Sequence, residues 1–222
     1  GTYSLGSNTT GTYNTAIGHA ALFSNTEANN NTAVGFQSLY ANTTGTQNVA
    51  VGWGSLDANT IGDYNTGIGT GSLGANTEGA NNTGVGRNSL ALNTTGGYNV
   101  AIGRSTLASN TTGLYNTAIG GLALDANTTR HNNVAIGYRA LSNQSIADQN
   151  TAVGADCMYS NQTGEYNTAT GFMALYSNTT ADNNTAIGYQ SLYANTTGAQ
   201  NTAVGGEALE ANTTGEYNVA IG

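Results

Sequence analysis

Apolar and polar positions along this chain recur with a fixed period. A short stretch, Asn99-Val100-Ala101-Ile102-Gly103, returns in close variants throughout the sequence. Its glycine stands at every seventeenth residue from Gly1 to Gly222, with no insertion or deletion. A fixed period of this size marks a solenoid or a related array. Counting the asparagine as column 1, the consensus is N-[TV]-A-[IV]-G-x-x-[AS]-L-x-[AS]-N-T-T-G-x-[YNQ]. Column 1 is Asn in all thirteen copies, column 4 is Ile or Val except at Thr170, column 9 is Leu except at Met158, and column 12 is Asn except at Gln144.

The pattern opposes a helix. Glycine at column 5 and usually at 15, with β-branched residues at 2 and 4, interrupts every turn. Columns 2 to 5 alternate as a short strand does. Asn-Thr-Thr-Gly at columns 12 to 15 is turn chemistry, because Asn and Thr bond nearby backbone and Gly accepts a positive φ. A second short strand around columns 8 to 11 completes a coil. The expected fold is all-β, a parallel β-solenoid of thirteen 17-residue coils. With identical columns about 4.8 Å apart, the coils would make a rod of roughly 60 Å. Residues 1–222 are expected to form a single array, an in-phase excerpt of a longer fibre.

Charge sorts the columns. The four Arg and twelve carboxylates fall only in columns 6, 7, 10, 14, 15 and 16. Charged side chains are almost never fully buried unless paired, so these columns are expected to face water and the others a core or an interface. A net charge of −8 and the absence of Lys exclude the basic stripe that nucleic acid requires. Strict register at the Ile/Val and Leu columns excludes a disordered polar tract. No apolar run spans a bilayer, so no membrane contact is expected of this segment.

Column 1 (Asn14, Asn48, Asn99, Asn133, Asn201) is expected to form an amide ladder beside the column-5 glycines Gly18, Gly52, Gly103, Gly137 and Gly205. The column-12 asparagines would make a second ladder. An equal alternative is that these residues serve the left-handed backbone of a turn. Both faces of the strand lack charge. One carries only Ala or Gly. The other carries Thr or Val with Ile or Val, as at Val49/Val51, Val100/Ile102 and Val134/Ile136. A narrow coil encloses one face, so the other is left for lateral self-association.

The segments Val49-Ala50-Val51-Gly52-Trp53-Gly54-Ser55 and Val134-Ala135-Ile136-Gly137-Tyr138-Arg139-Ala140 resemble the head repeats of trimeric autotransporter adhesins of the YadA-like, haemagglutinin-type class, also found in phage tail fibres. The resemblance is specific over columns 2 to 8. It implies a left-handed parallel β-roll, three chains side by side as a homotrimer, and an extracellular adhesive fibre at a cell or virion surface that contacts a host protein or glycan. This repeat is longer than the family's usual one, and the extra residues fit the Asn-Thr-Thr-Gly turn.

No catalytic constellation emerges, so an enzyme is not expected, and no cofactor or metal is implied. His19 and His131 occupy exposed columns far apart. Cys157 stands where the repeat otherwise has Ala, Ser or Thr and acts as a small filler. Asp63, Asp148, Glu165, Asp182 and Glu216 share column 16 without the Gly-Gly-x-Gly-x-Asp signature of calcium β-rolls, and are expected to form a solvated acidic edge. Arg87, Arg104 and Arg139 suggest an anionic-glycan patch or surface drift. Tyr40, Tyr159, Tyr176 and Tyr193 in column 10 suit a ligand or partner, or stacking along the rod. The copy from Arg130 to Gln149 drifts most, at Arg130, His131, Asn143, Gln144, Ser145 and Ile146. Asn-x-Thr sequons at Asn42, Asn93, Asn178 and Asn195 arise from the repeat's composition. Three functions fit: a structural or adhesive extracellular fibre, a phage tail-fibre shaft, or an ice-binding solenoid using Thr rows at columns 2, 13 and 14.

Overall fold

The computed structural model describes residues 1–144 and 146–222; Ser145 lies outside the described residues. The fold is an all-β parallel solenoid with one strand per 17-residue coil. The chain divides into two compact units, Gly1–Leu114 and Tyr115–Gly222. The first holds β1 (Thr15–Ile17), β2 (Thr32–Val34), β3 (Val49–Val51), β4 (Thr66–Ile68), β5 (Thr83–Val85) and β6 (Val100–Ile102). The second holds β7 (Thr117–Ile119), β8 (Val134–Ile136), β9 (Thr151–Val153), β10 (Thr168–Thr170), β11 (Thr185–Ile187), β12 (Thr202–Val204) and β13 (Val219–Ile221). Within each unit successive strands pair in parallel and in register, as Ala33 opposite Ala50 and Ala135 opposite Ala152.

The strand is shorter than expected, covering columns 2 to 4, and among the described residues the second strand does not form. Columns 6 to 11 form a chain of turns, with φ near +50° at column 9 in every leucine from Leu22 to Leu192 and likewise positive at column 7 (Gln37 +53°, Gln190 +50°). Alternating the sign of φ keeps successive peptide groups directed along the stack, so coils bond each other without β geometry. In the third coil the N–H of Gly54 donates to the carbonyl of Phe36 before it (2.9 Å), and the N–H of Leu56 donates to that of Ser72 after it (3.0 Å). A leucine in the left-handed region costs roughly 1–2 kcal/mol. Full burial of the same side chain returns about 1.5–3 kcal/mol. The column-9 leucines from Leu22 to Leu192 are all wholly buried, with Met158 in the same place.

That leucine column is the centre of the core. Around it pack the small residues of column 8, the Ala or Gly of column 3 and the asparagines of columns 1 and 12, buried in every coil but the terminal ones. The column-5 glycine closes the strand at φ between +120° and +144°. A Cβ on Gly52 would lie 2.7 Å from the carbonyl carbon and oxygen of Gly69 in the next coil, so no other residue fits.

Two exposure expectations need correction. Column 15 is buried rather than solvated at Gly45, Gly62, Ala147 and Ala181. Its one charge, Arg130, is accommodated because the long side chain leaves the column to meet Asp148 at 3.7 Å. Column 17, uncharged but also occupied by Asn and Gln and therefore expected to be half-buried, is exposed at Tyr64, Tyr98 and Tyr166. Its φ is near +59° in every coil, which explains the recurrence of Asn but not of Tyr.

Candidate interaction surface

The strand presents one face to the core and one outward. In β3, β6 and β8 the central Ala50, Ala101 and Ala135 are wholly buried. Val49, Val51, Val100 and Val134 are half-buried on the outer face, while Ile102 and Ile136 are 39% and 36% exposed. Thr32, Thr66, Thr83, Thr151 and Thr185 sit on the same face, and their hydroxyls make no hydrogen bond within the described chain. The face is thus an in-register ladder of β-branched residues. Thr170 is its one departure at column 4.

The two asparagine columns differ in chemistry. At column 12 the side chains bond each other directly. Asn76 Nδ2 donates to Asn59 Oδ1 (2.8 Å) and to the Gly79 carbonyl (2.9 Å), while Asn93 Nδ2 donates to Asn76 Oδ1 (2.7 Å). At column 1 the ladder runs chiefly from side chain to backbone, with direct amide bonds added where Asn82 donates to Asn65, Asn99 to Asn82 and Asn218 to Asn201. Asn31 Oδ1 accepts the N–H of Asn48 (2.9 Å), and Asn48 Nδ2 donates to the Gly62 carbonyl (2.8 Å). Asn14 accepts in the same way from Asn31, Asn133 from Asn150, and Asn201 from Asn218. Neither column has positive φ, so the left-handed-turn alternative does not hold. Gln144 joins the column-12 ladder on one side only: its Oε1 accepts from Asn161 (3.3 Å) and Asn150 (3.2 Å), while its Nε2 donates to the Ala147 carbonyl (2.7 Å) and does not reach the Asn127 Oδ1.

Column 16 is not a plain acidic edge. The short side chains reach to the preceding coil, where Asp63 Oδ1 accepts the N–H and hydroxyl of Thr46 (2.6 and 2.9 Å). Asp148 accepts the N–H of His131, and Asp182 that of Glu165. Asn29 does the same for Thr12, since an Asn side-chain oxygen caps a backbone donor as an Asp oxygen does.

Arg139 does not join Arg87 and Arg104 in a basic patch. Its guanidinium pairs with Asp156 at 2.7 Å and lies over the rings of Tyr138 and Tyr159, 5.2 and 4.8 Å from their centroids. This carboxylate bond holds its already high pKa higher still. Cys157 is buried, and desolvation pushes its thiol up to about 12. Asp57 is raised by burial, opposed by bonds from its own and the Ala58 backbone N–H. Among the described residues no three His, Cys, Asp or Glu side chains group as a metal site would require.

The column-10 aromatics stack along the coils. Tyr159, Tyr176 and Tyr193 lie ring on ring with centroids 5.4 and 5.3 Å apart, and Tyr40 stacks on Phe23 at 5.5 Å. Column 6 carries parallel stacks, Phe172 with Tyr189 in the second unit and His19, Phe36 and Trp53 in the first. Comparison with known proteins gives no match among family models, curated proteins or solved structures.

Proposed function

We propose that this chain is a segment of an extracellular fibre that associates laterally with copies of itself, most simply as a homotrimer. The observation that carries the reading is the outer strand face: uncharged in every coil, β-branched and in register. A long ladder of Ile and Val is more apolar surface than a monomer ordinarily leaves to water. Packing it on the same face of neighbouring chains covers every coil at once, and closed rotational symmetry stops sideways growth. With these side chains already half-buried, each coil would gain about 1 kcal/mol. A cell-surface adhesin and a tail-fibre shaft on a virion share this architecture, and host-surface protein or glycan is the expected contact of either.

Sedimentation of the purified chain tests the proposal. The intact protein should run as a trimer. Ile102→Asp with Ile136→Asp should dissociate it, whereas Gln47→Asp and Gln200→Asp, outside the strand, should not. A folded monomer that stays monomeric at high concentration would sink the idea. Thermal hysteresis from such a monomer at micromolar concentration would favour ice binding through the column-2 threonines instead. The column-13 row is less suited to that role, because hydroxyls such as Thr43 and Thr60 donate to the next coil's carbonyl (3.1 and 3.0 Å).

A further inference from the structure

Lateral packing leaves unused a pocket built by the aromatic columns of the first unit. His19 forms one wall and is backed by a stack of Phe36 and Trp53, with centroids 5.3 and 6.2 Å apart and planes within 11°. Phe23 and Tyr40 stack as the opposite wall at 5.5 Å. Tyr3 closes the end by meeting both walls edge-on, 6.0 Å from His19 and 6.3 Å from Phe23. The space of about 200 Å³ between them is lined by Tyr3, His19, Ala20, Phe23, Gln37 and Tyr40.

Size and charge narrow the occupant. Sites for drug-sized ligands run to about 300–1,000 Å³, so this one takes a single small ring. No lining residue is a carboxylate, Arg or Lys, and the chain's net charge is −8, so nothing here favours an anion and the surrounding field opposes one. Stacking takes up the ring faces along each column, so the ring edges left towards the space, which are partly positive, attract hydroxyl oxygens, while the aromatic and Ala20 carbons offer a ligand's C–H groups apolar contact. The Tyr3 and Tyr40 phenols, the His19 imidazole and the Gln37 amide add donors and acceptors. A ligand that is neutral, one ring across, and half C–H and half hydroxyl matches this lining. We infer that the pocket binds a neutral monosaccharide residue of a glycan.

The second unit supplies an internal control. Gln190 and Tyr193 occupy the columns of Gln37 and Tyr40, but Met173 stands where the first unit has Ala20. Its sulfur lies 3.9 Å from Gln190 Nε2, so the side chain occupies the neighbourhood of the floor amide that Ala20 leaves open. Both positions have the same backbone, φ +52° at Ala20 and +54° at Met173, so Ala20→Met should fold unchanged and close the pocket.

The test titrates the whole chain with methyl glycosides of glucose, galactose, mannose and N-acetylglucosamine, alongside 3′-sialyllactose and phenol. Binding is read by saturation-transfer NMR and by the fluorescence of Trp53, the only tryptophan. At least one neutral glycoside should bind with a millimolar Kd. Ala20→Met and Gln37→Ala should each weaken it at least tenfold with unchanged circular dichroism, and Tyr64→Ala should leave it intact. No binding by any of the four glycosides would overturn the inference. So would undiminished binding by Ala20→Met, or equal binding of phenol or sialyllactose. The inference does not rest on lateral association, which uses columns 2 and 4. A sugar-binding monomer would defeat only the fibre reading, and a trimer blind to all four glycosides would defeat only this one.

Discussion

A single backbone torsion separates two kinds of glycine in the repeat. Gly52 sits at φ +134°, with the next coil's carbonyl 2.7 Å from where a Cβ would be. Gly54 sits at φ +58°, where its column mates are Gln37, Asn88 and Arg139, and a Cβ there would meet nothing nearer than Asp57 at 3.8 Å. Gly52→Ala is therefore expected to cost about 3 kcal/mol or more, and Gly54→Ala about 1 kcal/mol; urea titration of both variants distinguishes them. The column-12 asparagines make a second residue-scale case. Asn42, Asn93, Asn178 and Asn195 lie in sequons but are wholly buried, with Nδ2 already donating to an amide and a carbonyl. An oligosaccharyltransferase should modify the urea-unfolded chain and leave the folded one bare, as mass spectrometry would read. Cys157 is the third. Its folded pKa, about 12, lies above its ordinary 9.0, so the unfolded state loses the thiol proton first as pH rises. That contribution to stability is full below pH 9.0 and is lost as the pH climbs from there towards 12. Cys157→Ala, which matches Ala140 and Ala174 in its column, should lessen the alkaline fall seen in thermal melts, and native Cys157 should resist iodoacetamide.

At the scale of the element, the strand was legible because its alternation and its closing glycine are local signals. The turn segment was not. Leucine in the left-handed region is locally unfavourable, and only burial by coils above and below makes it stable, so no reading of one repeat could find it. The same holds for the candidate surfaces. The uncharged outer face could be read from Val49/Val51 and Val100/Ile102, since it needs only the period of a strand. The pocket could not, because it depends on whether column 7 carries Ala20 or Met173 and on Tyr3 turning across two stacks. The capping by Asp63 and Asp182 was hidden for a related reason: a carboxylate column looks the same whether it faces water or a backbone N–H. Pairing across coils also sets the expectation for Arg139 and Asp156. The guanidinium is 35% exposed and the carboxylate 10%, so solvent weakens the attraction, but losing the cation leaves a mostly buried anion. Arg139→Met should lower the urea midpoint, and by less at high salt than at low salt.

For the molecule as a whole, the decisive feature is that inter-coil bonds join equivalent columns or near neighbours one repeat apart. Asn59 meets Asn76, Leu56 meets Ser72 and Thr43 meets Thr60, and one coil on Asn76 meets Asn93, Leu73 meets Ser89 and Thr60 meets Thr77. The coil therefore behaves as a unit of length that can be added or withdrawn like a link in a chain. Removing residues 66–82 brings Asn65 before Thr83 where Thr66 had been, and each remaining column finds its own kind again. A cut one residue shorter slides every later column out of place and turns Leu outward. The first variant should melt cooperatively with the circular dichroism of its parent, and the second should not fold beyond the cut. Such tolerance also gives the gene a way to change how far the protein reaches, by unequal recombination between near-identical copies and without inventing a new contact.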